Sequence, residues 1–398
     1  MLPLQGVRVL AVEQYGAGPW GTQYMADLGA EVIKIENPKD GGDMSRSVGP
    51  FFIDEGESSS GSLFFQSINR NKRSLTLDLG TPEGQAVLHD LVPTADVLAC
   101  NLRGDVPKKL GLTYETLGKI NPRIVCAFLT AYGREGPRQK WPGYDYLMQA
   151  EAGYFSLTGE PDGNPTRMGL SIVDLMTGLG MAYTAVSAVL AARATGTGRN
   201  VDVNLFDLAM TNLSYPGTWY LNTGHNQGRE ERSGHPALTP CAQYKTKDGW
   251  IFLMCNKEKF WPALCNAIGR PEWGTDPRYL TFKDRLERRP EIQGILDEQL
   301  STKTTDEWLE IFAGTVPAAP ILDVAQALDN PYVTDNGKIQ TLQHQNGSAF
   351  RMLDAPFDAG EPTPNQPGPE LGQDTDELLK ELGYDAARIA ALKDAGTI

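Results

Sequence analysis

A chain of 398 residues has the length of two or three domains. Its 40% hydrophobic and 22% charged residues are those of an ordinary globular protein, long enough to bury large cores. A formal net charge of −14 argues against a nucleic-acid surface, yet allows a local basic patch that holds an anionic ligand.

The N-terminus, Met1-Leu2-Pro3-Leu4-Gln5-Gly6, has no basic n-region and no apolar h-region, so no signal peptide is expected. Val7-Arg8-Val9-Leu10-Ala11-Val12 predicts a first strand. A helical stretch through Leu28 follows, ended by Gly29, and then a second strand over residues 31–36. Strand, helix and strand in about 30 residues predict a βαβ unit of a parallel sheet. Gly16, Gly18, Gly21 and Glu36 formally match a dinucleotide fingerprint. Two features weaken it: Glu13-Gln14-Tyr15 separates the strand from the first glycine, and Pro19 removes a donor where a pyrophosphate needs one.

Arg46 stands in a Gly- and Asp-rich loop, and the polar stretch 54–62 is expected to be exposed and mobile. Arg70, Lys72 and Arg73 precede a strand expected over residues 75–79; they read as a solvated edge or as phosphate ligands. Thr81 is expected to cap a helix that has Pro82 at its first position. Further strands are expected over residues 95–101, 123–129 and 201–205, with Asn101-Leu102-Arg103-Gly104 and then Lys108 and Lys109 after the first. Residues 142–146 are expected to open a helix.

The stretch 169–180 sets one carboxylate, Asp174, in an almost wholly apolar context, and residues 175–192 carry no formal charge. A run of that length could suggest a membrane span, but its glycine, threonine, serine and alanine point to a buried core helix instead. Asp174 reads either as the helix N-cap or as a nucleophilic carboxylate kept ionised by the free N–H groups of the first turn.

Repeated strand–helix units predict a doubly wound α/β domain over residues 1–205, whose polar strand ends are where such sheets place ligands. Residues 206–225 read as a linker and 226–318 as a smaller α+β domain with a hairpin over residues 244–253. Residues 319–350 read as a second linker, and 351–398 as a terminal segment ending in two amphipathic helices. The five cysteines form no CxxC pair, which points to reduced, mostly buried thiols in a cytoplasmic protein and to no zinc site.

Several segments occur together in this order: residues 4–10, Ala17-Gly18-Pro19, 27–36, 69–75, Pro142-Gly143-Tyr144-Asp145, 171–175 and Thr197-Gly198-Arg199. Together they make the chain resemble the family III CoA-transferases, the group of formyl-CoA and carnitine CoA-transferases, over nearly its whole length. The resemblance implies an interlocked homodimer with a Rossmann-like large domain completed by the returning C-terminus. It implies Asp174 as the catalytic residue and coenzyme A as the group carried, with acyl-CoA and a carboxylic acid as substrates and no metal. It implies CoA contacts at Gln14, Arg46, Lys72, Asn101, Leu102 and Lys109, with Tyr144 and Asp145 beside the nucleophile. No partner membrane or nucleic acid is implied.

One departure is the lack of the glycine run that covers the site in formyl-CoA transferase; the nearest stretch, 224–234, differs and favours another, larger acid. An α-methylacyl-CoA racemase of the same fold would need a histidine where Tyr144 stands. An NAD-dependent oxidoreductase rests only on the fingerprint, and a non-catalytic CoA-binding protein would bind thioesters without exchange.

Overall fold

The computed structural model describes residues 1–54 and 58–398. Two compact units emerge: Met1–Ala152 with Gly169–Ser214 and Gly337–Ile398, and Gly153–Met168 with Tyr215–Asn336.

The first unit is built on six strands: β1 (Arg8–Val12), β2 (Glu31–Glu36), β3 (Lys72–Thr76), β4 (Val97–Cys100), β5 (Val125–Thr130) and β6 (Arg199–Asn204). They form one parallel sheet in the order β3-β2-β1-β4-β5-β6, a Rossmann-like arrangement. Its helices include α1 (Ala17–Asp27), α2 (Leu63–Asn69), α3 (Pro82–Leu91), α4 (Val106–Lys109), α5 (Tyr114–Leu117), α6 (Asp145–Glu151), α7 (Ile172–Thr195) and α8 (Leu205–Thr211), with two more, Thr375–Glu381 and Ala386–Asp394, near the C-terminus. Every residue of β5 is buried, as expected of a strand covered on both faces.

α1 and α7 pack closely. A Cβ on Gly178 would stand 2.4 Å from the Ala17 carbonyl oxygen, so only glycine allows this approach. Residues 374–398 fold back on the sheet. The Ser74 and Thr76 N–H groups of edge strand β3 donate to the Asp374 carboxylate (2.8 Å) and the Thr375 hydroxyl (3.0 Å), covering an edge that would otherwise be open. Leu378, Leu379, Tyr384, Ile389 and Leu392 join the core of β1–β5 and α3.

The second unit has the antiparallel sheet β7 (Cys241–Lys245), β8 (Trp250–Met254) and β9 (Ala318–Pro320). Its core gathers Tyr244, Ile251, Leu253, Trp261, Leu264, Leu296 and Trp308.

Four expectations need correction. β3 begins at Lys72 rather than residue 75, because Lys72 and Arg73 are paired strand residues and not a solvated edge. The linker expected over 206–225 holds α8 and the helix Ser214–Thr223. The linker expected over 319–350 holds two short helices, Val324–Leu328 and Pro331–Thr334, and the first strand of a hairpin, Ile339–Gln343 with Ala349–Leu353. Within the stretch 54–62, residues 55–57 lie outside the described residues. Ser60 and Ser62 are buried, and the Ser60 hydroxyl pairs with His344 Nε2 at 2.7 Å.

Candidate active site

The strand order reverses between β1 and β4, and ligands of open α/β sheets sit at such a point. The segments leaving these two strands are tied together. The Asn101 side chain accepts from the Gln14 N–H (2.9 Å) and donates to the Gln14 carbonyl (2.8 Å). Beside this pair opens a cleft of about 210 Å³ lined by, among others, Gln14, Tyr15, Asn101, Leu102, Tyr144 and Asp174.

Asp174 lies in the first turn of α7, and Ser171 occupies the N-cap position. The N-cap reading of Asp174 is therefore incorrect. Only 8% of the residue is exposed, and its carboxylate accepts no hydrogen bond among the described residues. Its own N–H donates to Asp145 Oδ2 at 2.9 Å. Burial, and then the Asp145 charge, push its pKa up to about 7. The expected ionised carboxylate cradled by helix donors is thus replaced by one with little solvent and no donor among the described residues. Asp145 itself is buried at the start of α6, where Gln149 also donates to it.

The glycines of the fingerprint have other work. A Cβ on Gly16 would lie 2.6 Å from Asp174 Oδ2, one on Gly18 would lie 2.7 Å from Asn101 Cγ, and one on Gly21 would meet the Gly178 carbonyl oxygen at 2.3 Å. Glu36 receives Arg46 Nε (2.8 Å) and Nη2 (2.6 Å) and the Ser74 hydroxyl (2.7 Å), so it is committed to this network rather than to a ribose. The oxidoreductase reading loses its residues.

The cationic positions divide. Lys72 Nζ donates to Glu13 Oε1 (2.8 Å), the Pro19 (2.8 Å) and Ile68 (3.1 Å) carbonyls and Asn69 Oδ1 (3.0 Å), all buried. Arg46 is spent on Glu36, on the Ser59 and Pro369 carbonyls (2.9 Å each), and on the Phe65 ring. The expectation that these two meet phosphates is corrected: both are interior counterions, and burial lowers the Lys72 pKa. Lys109 is exposed, shares Asp105 with Arg103, and stands at the end of α4 beside the cleft residue Arg103.

Sequence reasoning singled out neither Arg103 nor Tyr15, although both adjoin residues that it named. Tyr15 carried a signal only three-dimensional structure discloses, a φ of 68°. No histidine lines the cleft among the described residues, so nothing there supplies the base a racemase of this fold would need.

The family model described as CoA-transferase family III matches residues 4–375. The chain belongs to that family. The family III enzyme is 35% identical to the succinate–glutarate CoA-transferase of Agrobacterium fabrum, covering 96% of each chain. It is 37% identical to the acetyl-CoA:oxalate CoA-transferase of Acetobacter aceti, covering 83% of each. A crystal structure of a CaiB/BaiF family protein from Brucella suis superposes with a TM-score of 0.81 at 32% identity, over 96% of this chain and 99% of that one. As a family III CoA-transferase, the enzyme moves CoA between acyl-CoA thioesters and carboxylic acids.

Proposed function

We propose that Asp174 carries the transfer covalently and that the acids exchanged are dicarboxylic. The observation that carries this reading is a buried carboxylate, without a donor among the described residues, at the wall of the switch-point cleft. Such a group gains by forming a neutral ester-like bond, because its charge is poorly solvated.

An Asp174 oxygen attacks the thioester carbonyl. The C–S bond breaks, leaving an acyl–aspartyl anhydride and CoA thiolate. The thiolate attacks the aspartyl carbonyl, releasing the donor carboxylate and forming an aspartyl–CoA thioester. The acceptor carboxylate attacks that thioester and expels the thiolate. The thiolate then attacks the acceptor carbonyl of the second anhydride and restores the Asp174 carboxylate. Neither water nor redox change enters the balance.

The relatives named for succinate, glutarate and oxalate support a dicarboxylic acid. Arg103 on the cleft wall offers a counterion to a second carboxylate. The exposed cations Lys108 and Lys109 at the end of α4 offer charge to CoA phosphates, with Gln14, Asn101, Leu102 and Tyr144 along the thioester's path. The five buried free thiols support a cytoplasmic setting.

The test is a panel of acyl-CoA donors against mono- and dicarboxylic acids, with products read by mass spectrometry. Transfer to dicarboxylic acids and a hydroxylamine-trapped mark on the Asp174 peptide are expected. Asp174→Asn should bind CoA yet lose exchange by several orders of magnitude. Near-parent exchange in that variant, or a mark on Asp145, would sink the covalent role.

A further inference from the structure

Three successive residues between β1 and α1 are held by side chains from three other segments. Lys34 Nζ donates to the Glu13 carbonyl at 3.1 Å. Asn101 holds both polar backbone groups of Gln14. Asp43 Oδ1 accepts the Tyr15 N–H at 2.8 Å, while its Oδ2 pairs with Lys34 Nζ at 2.7 Å. Asp43 and Lys34 are both buried, so their part of the clamp is shielded from water, while the Asn101–Gln14 pair lies at the cleft surface.

The clamp holds Tyr15 at φ 68°, a left-handed backbone that a large side chain rarely adopts. Such a conformation is strained and persists where surrounding structure imposes it, often at functional sites. Glycine or asparagine would sit there with less strain. Of the five non-glycine residues with positive φ, Tyr15 is the one that lines the Asp174 cleft, among the described residues.

The ring of the clamped Tyr15 contacts two others. Its centroid is 5.2 Å from the Phe64 ring and 6.5 Å from the Tyr144 ring, the latter edge-on. Tyr144 is 55% exposed and forms the outer rim, while Tyr15 lies deeper. The Asp174 charge is felt at the phenol, whose pKa is raised by burial first and by Asp174 next. Tyr15, Tyr144 and Asp174 thus line one cleft, with Tyr15 less exposed than Tyr144.

We propose that the Tyr15 ring, backed by Phe64 and meeting Tyr144, is the wall that keeps water from the acyl group while it is joined to Asp174. The proposal rests on the covalent role of Asp174. An acyl–aspartyl anhydride that admits water gives the free acid and regenerates the Asp174 carboxylate. The CoA thiolate, once protonated, then leaves as free thiol. The net result is thioester hydrolysis in place of transfer. An apolar wall at this point decides the partition between the two.

Tyr15→Phe and Tyr15→Asn test this, each compared with parent enzyme for thiol released without acceptor acid and for transfer with it. Tyr15→Phe keeps the ring and should keep the parent's ratio of hydrolysis to transfer. Tyr15→Asn suits the left-handed backbone but removes the ring, and should raise that ratio by about tenfold or more, a change of about 1.4 kcal/mol in relative barrier. A ratio in Tyr15→Asn within about twofold of the parent overturns the proposal, since 0.4 kcal/mol is too little for a lost wall. So does a rise in Tyr15→Phe as large as in Tyr15→Asn, because the hydroxyl and not the ring would then be responsible. Hydroxylamine trapping on Asp174 in the same samples separates this outcome from failure of the covalent role itself.

Discussion

At the scale of one residue, the reactivity proposed for Asp174 and stability oppose each other. Its native pKa, pushed up to about 7, exceeds the ordinary 3.8 because the native state holds its carboxyl proton more tightly than the unfolded chain does. The stability tied to that proton is fully present below pH 3.8 and is lost as pH rises to about 7. Above that the ionised carboxylate costs up to about 4 kcal/mol. Asp174→Asn is neutral at every pH, so it should unfold at higher urea than the parent at pH 8, with the gain shrinking towards pH 4. In the parent, kcat/KM should rise with pH through about 7 as the nucleophile ionises. An equal urea midpoint for the two proteins at pH 8 would show that Asp174 is not strained in this way. The residues around Asp174 left N-cap and nucleophile both open, and only the family resemblance implied catalysis; the helix start at Ser171 removes the first reading. Lys72 and Arg46 misled, because their partners Glu13 and Glu36 are distant in sequence or across a loop. Nothing in a linear string distinguishes a buried counterion from a phosphate ligand.

At the scale of elements, the alternation of strand and helix was readable wherever a strand is buried on both faces, as in β1, β2, β4 and β5. It failed at the start of β3, where three consecutive polar residues replace apolar ones, whereas β2 buries Lys34 and Glu36 singly, with apolar Ile35 between them. β3 starts with Lys72-Arg73-Ser74, a polar run made strand-compatible by Glu13, Glu31 and the returning Asp374. Helix crossings were not readable at all. The contact of α1 with α7 depends on Gly21 and Gly178, which sequence patterns rank as helix-weakening. A methyl at 178 would collide with backbone, which cannot swing aside as a side chain can. Gly178→Ala should therefore destabilise by about 1–3 kcal/mol even though alanine is the better helix former. Because Asp174 lies one turn earlier on α7, the same variant should lower kcat while the far-ultraviolet circular dichroism stays helical. A variant at least as stable as the parent would show that the two helices separate freely.

At the scale of the whole molecule, α7 leaves an apolar face without a neighbour among the described residues. By length and composition the helix Ile172–Thr195 could cross a membrane, yet Val173, Thr177, Met181, Ala185 and Val189 are buried within the first unit. Its other face leaves Tyr183 78% and Leu190 67% exposed, with Leu179 beside them. α6 and α8, which pack on α7, add exposed Leu147 and Met210. An uncharged face of this kind on a chain with net charge −14 marks an interaction surface. A second copy is the partner we propose for it, with the two chains interlocked as the family resemblance implies. Interlocking has a kinetic signature that surface association lacks. Two rings cannot part unless one opens, so dilution alone should yield no folded monomer. Sedimentation velocity from micromolar to nanomolar concentration should give the mass of two chains throughout. Dissociation in urea should coincide with loss of secondary structure. Replacing Tyr183 and Leu190 together by lysine should weaken the folded dimer towards urea without producing a stable monomer. A folded monomer of either protein at nanomolar concentration would rule out threading and leave an ordinary two-fold contact in its place.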